Sequence, residues 1–279
     1  LILTRRNFTD TFRQPGRYIY RIVGPFVIIA FISLIYWRFE WDSLSVYKRL
    51  GFFQQTALGA LPGALVALDL YPRQREVAFR EISNGSYSAS AFFVSYILNE
   101  LPLTLFTAVI SMVMVFCITG LQLTWVSAVA SPVISIGHIT LGETMALTFS
   151  TLMPYSSLAL IASASVVMWL SFIAGIMTPS LPWFLHYVNY ANPFRYSFRV
   201  MVQNELHGLQ IKCIDSEIQK GLCLFSNGDQ VLQYLKMADQ RTGRDLLMFL
   251  VLCVLYRMIA WAVIVIRVRL YGHKQSADA

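Results

Sequence analysis

Any chemistry in this chain has to come from a few polar residues set against long apolar runs. Arg75 to Tyr87 carries Arg75, Glu76, Arg80 and Glu81 between two such runs. Alternating charge of that kind suits ion pairing with a moving partner better than it suits bond making. Glu100 follows in Asn99-Glu100-Leu101-Pro102. A carboxylate beside hydrocarbon is costly unless paired, and an arginine of the N-terminal segment or of the charged stretch is the expected partner. His138 and Glu143 are the tempting acid–base pair, yet five residues along a helix turn about 140° and place them on different faces. One helix cannot present both to one substrate. That leaves His138 as a helix contact and Glu143 as an intramembrane carboxylate or a proton relay. No Gly-x-Ser-x-Gly or His-Glu-x-x-His supports hydrolysis.

The elements that must position these residues follow from composition. Of 279 residues, 56% are apolar and only 13% charged, too few polar groups to cover a soluble domain of that size. The chain reads as an all-α integral membrane protein. Windows of about 20 residues, matched to a hydrocarbon core of roughly 30 Å, give six spans. They run over Tyr18–Trp37, Val46–Leu70, Tyr87–Cys117, Val126–Ser150, Tyr155–Met177 and Leu246–Ile266. The runs are continuous rather than alternating, which excludes a barrel. Arg5, Arg6, Arg13, Arg17 and Arg21, then Arg73, Arg75 and Arg80, then Arg267, Arg269 and Lys274 fall on one side. The positive-inside rule makes that side, with both termini, cytosolic. The net charge of +7 is thereby an orientation signal and not a nucleic-acid footprint. Which membrane is crossed, plasma or organelle, stays open.

The first residue is Leu1, so the chain is expected to be cut from something longer. Residues 1–17 read as an interfacial helix, with Phe8 and Phe12 toward lipid and the arginines toward headgroups. Residues 18–177 hold spans one to five, 178–245 an extracytosolic segment, and 246–279 span six and the tail. Pro179, Pro182 and Asn192-Pro193 break the path after span five, so Leu181–Phe198 is expected to re-enter the outer leaflet as two short helices, a release lid or a static cap. Cys213 and Cys223 share the extracytosolic segment, ten residues apart. A disulfide between them is expected, with a bridge to a second subunit as the alternative. Neither cysteine has metal-ligand spacing with a histidine, and His186 and His207 are isolated, so no metal is expected. The sequons Asn7-Phe8-Thr9 and Asn84-Gly85-Ser86 lie on the cytosolic side and are expected to be silent.

Several pieces in order carry a resemblance. They are Arg75–Tyr87, Asn99-Glu100-Leu101-Pro102, the Gly142 to Pro154 spacing, Leu181-Pro182-Trp183, Tyr190-Ala191-Asn192-Pro193-Phe194-Arg195-Tyr196, Asn204-Glu205-Leu206, and Arg257 followed by Trp261, Arg267 and Arg269. Together they resemble the ABC-2 type transmembrane domain of the G (White or pigment-precursor) subfamily of ABC transporters over nearly the whole chain. Leu206 stands where the family commonly has an aromatic residue.

The resemblance implies a permease half that works with a nucleotide-binding domain fused on the N-terminal side. That domain would hold ATP and Mg, because this chain has no Gly-x-x-x-x-Gly-Lys-Ser/Thr cradle of its own. Two such polypeptides, as homodimer or heterodimer, would enclose a path for lipid-like or amphipathic molecules. Arg80, Glu81, Gly85 and Tyr87 would form the cytosolic coupling helix, the alternative being a solvated anchor loop. Phe53, Gln54, Gln55 and Thr56, with Val167 and Ser171, match positions that line the central cavity, or else they are helix-packing residues. Ile176 and Met177 match an apolar plug, or else pack. The other class to weigh is an ATP-independent channel or scaffold. Channels show rings of pore-lining charge or filter loops, and nothing repetitive of that kind is present.

Overall fold

The computed structural model describes residues 3–6, 9, 15–40, 42–211, 225, 227–239 and 241–277. Cys213 and Cys223, Phe8 and Phe12 lie outside the described residues. Among those described, the chain is helical, and its one isolated β-bridge joins Gln210 and Asn227.

The helices are α1 (Pro15–Ile35), α2 (Ser43–Thr56), α3 (Ala60–Ser83), α4 (Ala89–Thr119), α5 (Trp125–Leu152), α6 (Ser156–Ile173), α7 (Trp183–Tyr190), α8 (Pro193–Leu206), α9 (Gly228–Tyr234) and α10 (Thr242–Ala277). A 3-10 turn, Ala57–Gly59, joins α2 to α3 into one rod. Among the described residues, five stretches are long and apolar enough to cross a membrane: Leu44–Pro72, Ala89–Thr119, Trp125–Leu152, Ser156–Ile173 and Thr242–Tyr271. Ile22–Ile35 is a shorter apolar helix in the place of the expected first span.

Boundaries are set by side-chain caps. Asp42 accepts from the Ser45 amide, Ser88 from the Ala91 amide, and Thr124 with Ser127 closes a reciprocal capping box at α5. The charged stretch, expected as a coupling helix of its own or an anchor loop, is instead the end of α3. Helix α3 continues through Arg75, Arg80 and Glu81 to Ser83, so these charges ride on the end of a spanning helix. The turn back into α4 uses Gly85 at φ +76°, which a β-carbon disfavours. Span five ends at Ile173, earlier than Met177, because Gly175 adopts φ +114° and the chain then meets Pro179 and Pro182. The proline breaks deliver two short helices, α7 and α8, as expected.

Helix α5 is the hub and packs on α3, α10, α6, α4 and α8, with α3 as its principal neighbour. The α3–α5 contact is made of small residues. Gly63 lies against the Ile139 carbonyl and Gly142 against the Ala60 carbonyl, so that a β-carbon on either glycine would overlap backbone. Ala64, Ala67 and Ala146 extend the seam. Between membrane helices, where lipid is as apolar as leucine, such close backbone approach is what drives association. Another close approach on α5, at Gly137, faces the ring of Phe249 on α10.

Gly142→Ala is accordingly expected to destabilise the protein by about 1–3 kcal/mol through overpacking, whereas Gly24→Ala, with open space around it, should be neutral or stabilising. Thermal unfolding of the detergent-purified variants checks this; equal midpoints would refute the tight crossing.

Candidate functional site

Three polar clusters are strung along the bundle. At the end of α3, Arg6 donates two hydrogen bonds to Glu81, each 3.1 Å, and the Tyr87 hydroxyl donates to the same carboxylate at 2.6 Å. Arg6, then Tyr87, hold the Glu81 carboxyl below its ordinary 4.5. Burial first, and the Glu81 carboxylate second, push the Tyr87 phenol up to about 12. The Arg75 guanidinium donates to the Ser150 carbonyl and so ties the same stretch to the end of α5. The expected coupling residues Glu81 and Tyr87 are therefore in one cluster. Arg80 is exposed and Gly85 forms the turn.

In the middle, every described polar group raised as a catalytic candidate is engaged structurally. Arg257 of α10 donates to Glu143 at 3.0 Å and to the Thr144 hydroxyl at 3.0 Å. His138 contacts the Thr56 carbonyl at 3.2 Å and the Ser197 hydroxyl at 2.9 Å, with Phe194 and Phe249 packed against its ring. A histidine held on both nitrogens and a glutamate in an ion pair are braces between helices. Glu100 is buried and lies 3.4 Å from the Asn99 amide. Arg6, of the N-terminal segment, pairs with Glu81.

The expected cavity residues separate into two groups. Gln54 donates to the Ser171 hydroxyl at 2.6 Å and to its carbonyl at 3.2 Å, joining α2 to α6, and Val167 is buried beside them. Phe53, Gln55 and Thr56 line a cavity instead, with Gln55 exposed. Ile176 is buried and Met177 exposed. Asn192 donates to the Leu170 carbonyl at 2.7 Å and accepts from the Phe194 amide, so the proline break that starts α8 is bolted to α6.

At the far end, Arg49 donates to Glu205 at 2.9 Å and to the Glu40 carbonyl at 2.8 Å, while the second Glu205 oxygen accepts from the Gln122 amide at 2.9 Å. Both side chains are almost fully buried, at 1% and 2% exposure. Burial pushes the Glu205 carboxyl up, and the Gln122 amide and Arg49 pull it back. Arg49 also stacks over Phe39, 5.0 Å from its centroid. Next to it, Arg199 pairs with Asp245 at 3.0 Å, and the Gln203 amide donates to the Met237 and Asp239 carbonyls. Sequence reasoning did not assign the Arg49–Glu205 pair, whose members stand 156 positions apart. Its one signal was a lone arginine inside an apolar span, which demands a carboxylate. Among the described residues no group of three or more His, Cys, Asp or Glu is placed to hold a metal ion.

Comparison with known proteins adds what geometry alone does not. Residues 1–206 match the model of the ABC-2 type transporter family. An uncharacterized ABC transporter ATP-binding protein/permease of Saccharomyces cerevisiae is 24% identical over 266 residues, 95% of this chain and 20% of that protein. ABC transporter G family member 8 of Dictyostelium discoideum is 26% identical over 251 residues, 87% of this chain and 38% of that one. ABC transporter G family member 5 of Arabidopsis thaliana is 23% identical over 266 residues, covering 95% and 40%. The chain thus spans less than half the length of these relatives.

The buried pair at the far end generates a measurable asymmetry. Arg49→Met or Glu205→Leu alone leaves an uncompensated buried charge and is expected to cost about 3–5 kcal/mol, whereas the double variant should recover most of that loss. Unfolding midpoints of the three variants in nanodiscs check it; additive losses would show that the two side chains act independently.

Proposed function

The chain belongs to the ABC-2 type transporter family, and from that premise we propose that it is the permease half of an ATP-driven exporter of lipid-like or amphipathic molecules, working by alternating access in a dimer. The observation that carries the reading is the Arg6–Glu81–Tyr87 cluster on the cytosolic end of α3. It makes the tip of a spanning helix a rigid, charged handle, which is what a nucleotide-driven motor needs to push against. ATP and Mg would be held by the nucleotide-binding domain expected N-terminal to this chain, since the sequence lacks the phosphate cradle. That domain and a second half-transporter are the partners, and membrane lipids surround them.

In this reading residues 1–279 are a single transmembrane domain. Pro15–Ile35 is the first of six spans, both termini are cytosolic, and residues 178–245 with α7 and α8 form the extracytosolic, re-entrant part. Phe53, Gln55 and Thr56 face the substrate path, with Gln54, Val167 and Ser171 holding its wall in register behind them. Ile176 and Met177 close it toward the exit. A disulfide between Cys213 and Cys223 would staple the segment beyond α8. ATP binding draws the two α3 tips together, tilts the α2–α3 rods and moves the polar braces of α5 as one unit with them.

Glu81→Lys is expected to leave assembly intact while uncoupling ATP hydrolysis from transport, and Arg6→Glu in the same chain should restore coupling in part. Because Glu81 titrates below its ordinary 4.5, the cluster is fully formed above that value and is lost as pH falls below it. Its partly exposed charges should also make coupling weaken with salt. Vesicle transport and ATPase rates measured together on the reconstituted full-length transporter check this; normal transport by Glu81→Lys would sink the assignment.

A further inference from the structure

The turn from α7 into α8 lies at mid-height along its neighbours and not at their ends. The Tyr256 hydroxyl donates to the Ala191 carbonyl at 3.3 Å, and Tyr256 is in the middle of the apolar stretch Thr242–Tyr271. His138, midway along Trp125–Leu152, contacts the Ser197 hydroxyl at 2.9 Å, and its ring centroid is 5.0 Å from that of Phe194. In both helices either end is about 20 Å away at 1.5 Å per residue. Arg195, between Ala191 and Ser197, is therefore at the depth of hydrocarbon.

Other arginines inside the bundle meet a carboxylate. Arg49 pairs with Glu205, Arg199 with Asp245 and Arg257 with Glu143. Among the described residues Arg195 has neither an ion pair nor a hydrogen bond, and the adjoining α6 and α7 contain no acidic residue. Its guanidinium carbon instead stacks 4.3 Å from the centroid of the Tyr190 ring and 5.9 Å from that of Tyr196. Nη1 is enclosed without an acceptor, whereas the rest of the fork, equally unbonded, is not enclosed. Stacking occupies the flat face of a guanidinium and leaves its N–H edge in the plane, where it grips a carboxylate or phosphate through two parallel bonds. An unpaired cation at this depth is costly. The first turn of α8, the positive end of its dipole, adds to that cost. An anion placed at Arg195 relieves both.

The surface beside the arginine suits an apolar body. Trp183, His186, Tyr187 and Tyr190 recur at helical spacing along one face of α7, and Trp183, Tyr187 and Tyr190 are 78%, 71% and 50% exposed. The stripe ends at the Tyr190 ring on which Arg195 stacks. A single cation at the foot of an aromatic face is complementary to a molecule with one acidic head and an apolar tail.

We propose that the α7–α8 turn is a binding site for an anionic amphiphile, whose carboxylate or phosphate oxygens accept from the Arg195 fork and whose apolar body lies along Trp183, Tyr187 and Tyr190. The site presupposes the re-entrant placement of α7 and α8 given above. It needs neither a dimer nor ATP, so failure of the transport reading leaves it standing.

The experiment uses the full-length protein in phosphatidylcholine nanodiscs without nucleotide, in alkaline buffer that ionises the acidic probes. A diazirine-bearing fatty acid, the alkyl phosphate of the same chain and the corresponding neutral alcohol are compared, and labelled peptides from α7 and α8 are quantified. Charge-assisted hydrogen bonds predict labelling by an acid at about ten- to hundredfold lower concentration than by the alcohol. Preference for either acid supports the site, and the stronger of the two names the head. Arg195→Gln should abolish the preference while the alcohol still labels, which shows that the turn remains folded. Arg195→Lys, which keeps the charge without the fork, should retain only part of it. Equal labelling by acids and alcohol would overturn the proposal, as would a preference that survives in Arg195→Gln. So would an α7 that no probe labels, because a second copy would then lie over the aromatic stripe.

Discussion

The contact on which the rest of this molecule depends is the one between α3 and α5, where Gly63 and Gly142 let two helix backbones touch without side chains between them. In a bilayer no hydrophobic gain separates protein from lipid, so helices are held by packing and by internal polar bonds. The small-residue seam supplies the first and fixes the height of α5 relative to α3. Once that height is fixed, His138 comes opposite Thr56 and Arg75 reaches the Ser150 carbonyl. On the other side of α5, Glu143 meets Arg257. A change of register at the seam would displace these bonds together.

The charges inside the bundle follow from the same economy of groups. Arg49 and Glu205 are each nearly inaccessible, and each uses its remaining donors and acceptors on backbone or hydroxyl groups. An ion pair so placed adds little stability compared with hydrocarbon of the same shape, but it strongly disfavours any arrangement in which the partners separate. The pair ties the middle of α2 to the end of α8, and Asn192 ties the start of α8 to α6. The polar interior therefore acts on specificity of arrangement, and the apolar surface acts on solubility in lipid.

Much of this was legible in the sequence. Apolar run length gave five of the six expected spans to within a few residues, the first being matched by the shorter helix Ile22–Ile35, because hydrocarbon thickness sets helix length regardless of tertiary detail. Proline and Asn192-Pro193 located the break between α7 and α8, since a missing amide cannot be compensated by packing. What escaped was whatever depends on which helix faces which. Charge composition set Arg75–Tyr87 apart as a separate coupling element, yet α3 simply continues to Ser83, because solvated charge and helix are compatible. Gln54 and Ser171 read equally as cavity lining or as helix packing, and only the assembled helices show that they hydrogen-bond each other. Glu143 had no visible partner because Arg257 lies 114 positions further on. Local physics writes itself into local sequence, whereas pairing across the bundle is a property of the assembled helices.

The α2–α3 rod shows how these constraints combine into something able to move. From Ser43 to Ser83 it runs about 60 Å at 1.5 Å per residue, longer than the hydrocarbon it crosses. One end carries Arg49 in the Glu205 pair, and the other carries Glu81 in the Arg6 cluster. Between them the hydrogen bonding changes from α to 3-10 and back at Ala57–Gly59, immediately after Phe53, Gln54, Gln55 and Thr56. A short 3-10 interruption has poorer hydrogen-bond geometry than the helix around it and is where a long rod bends most cheaply. The α3 part is clamped to α5 by the glycine seam, and the α2 part is clamped to α8 by the buried ion pair. A force on the Glu81 tip therefore meets two places where the rod bends, Pro72 within α3 and, past the glycine seam, the turn beside the residues expected to face the substrate.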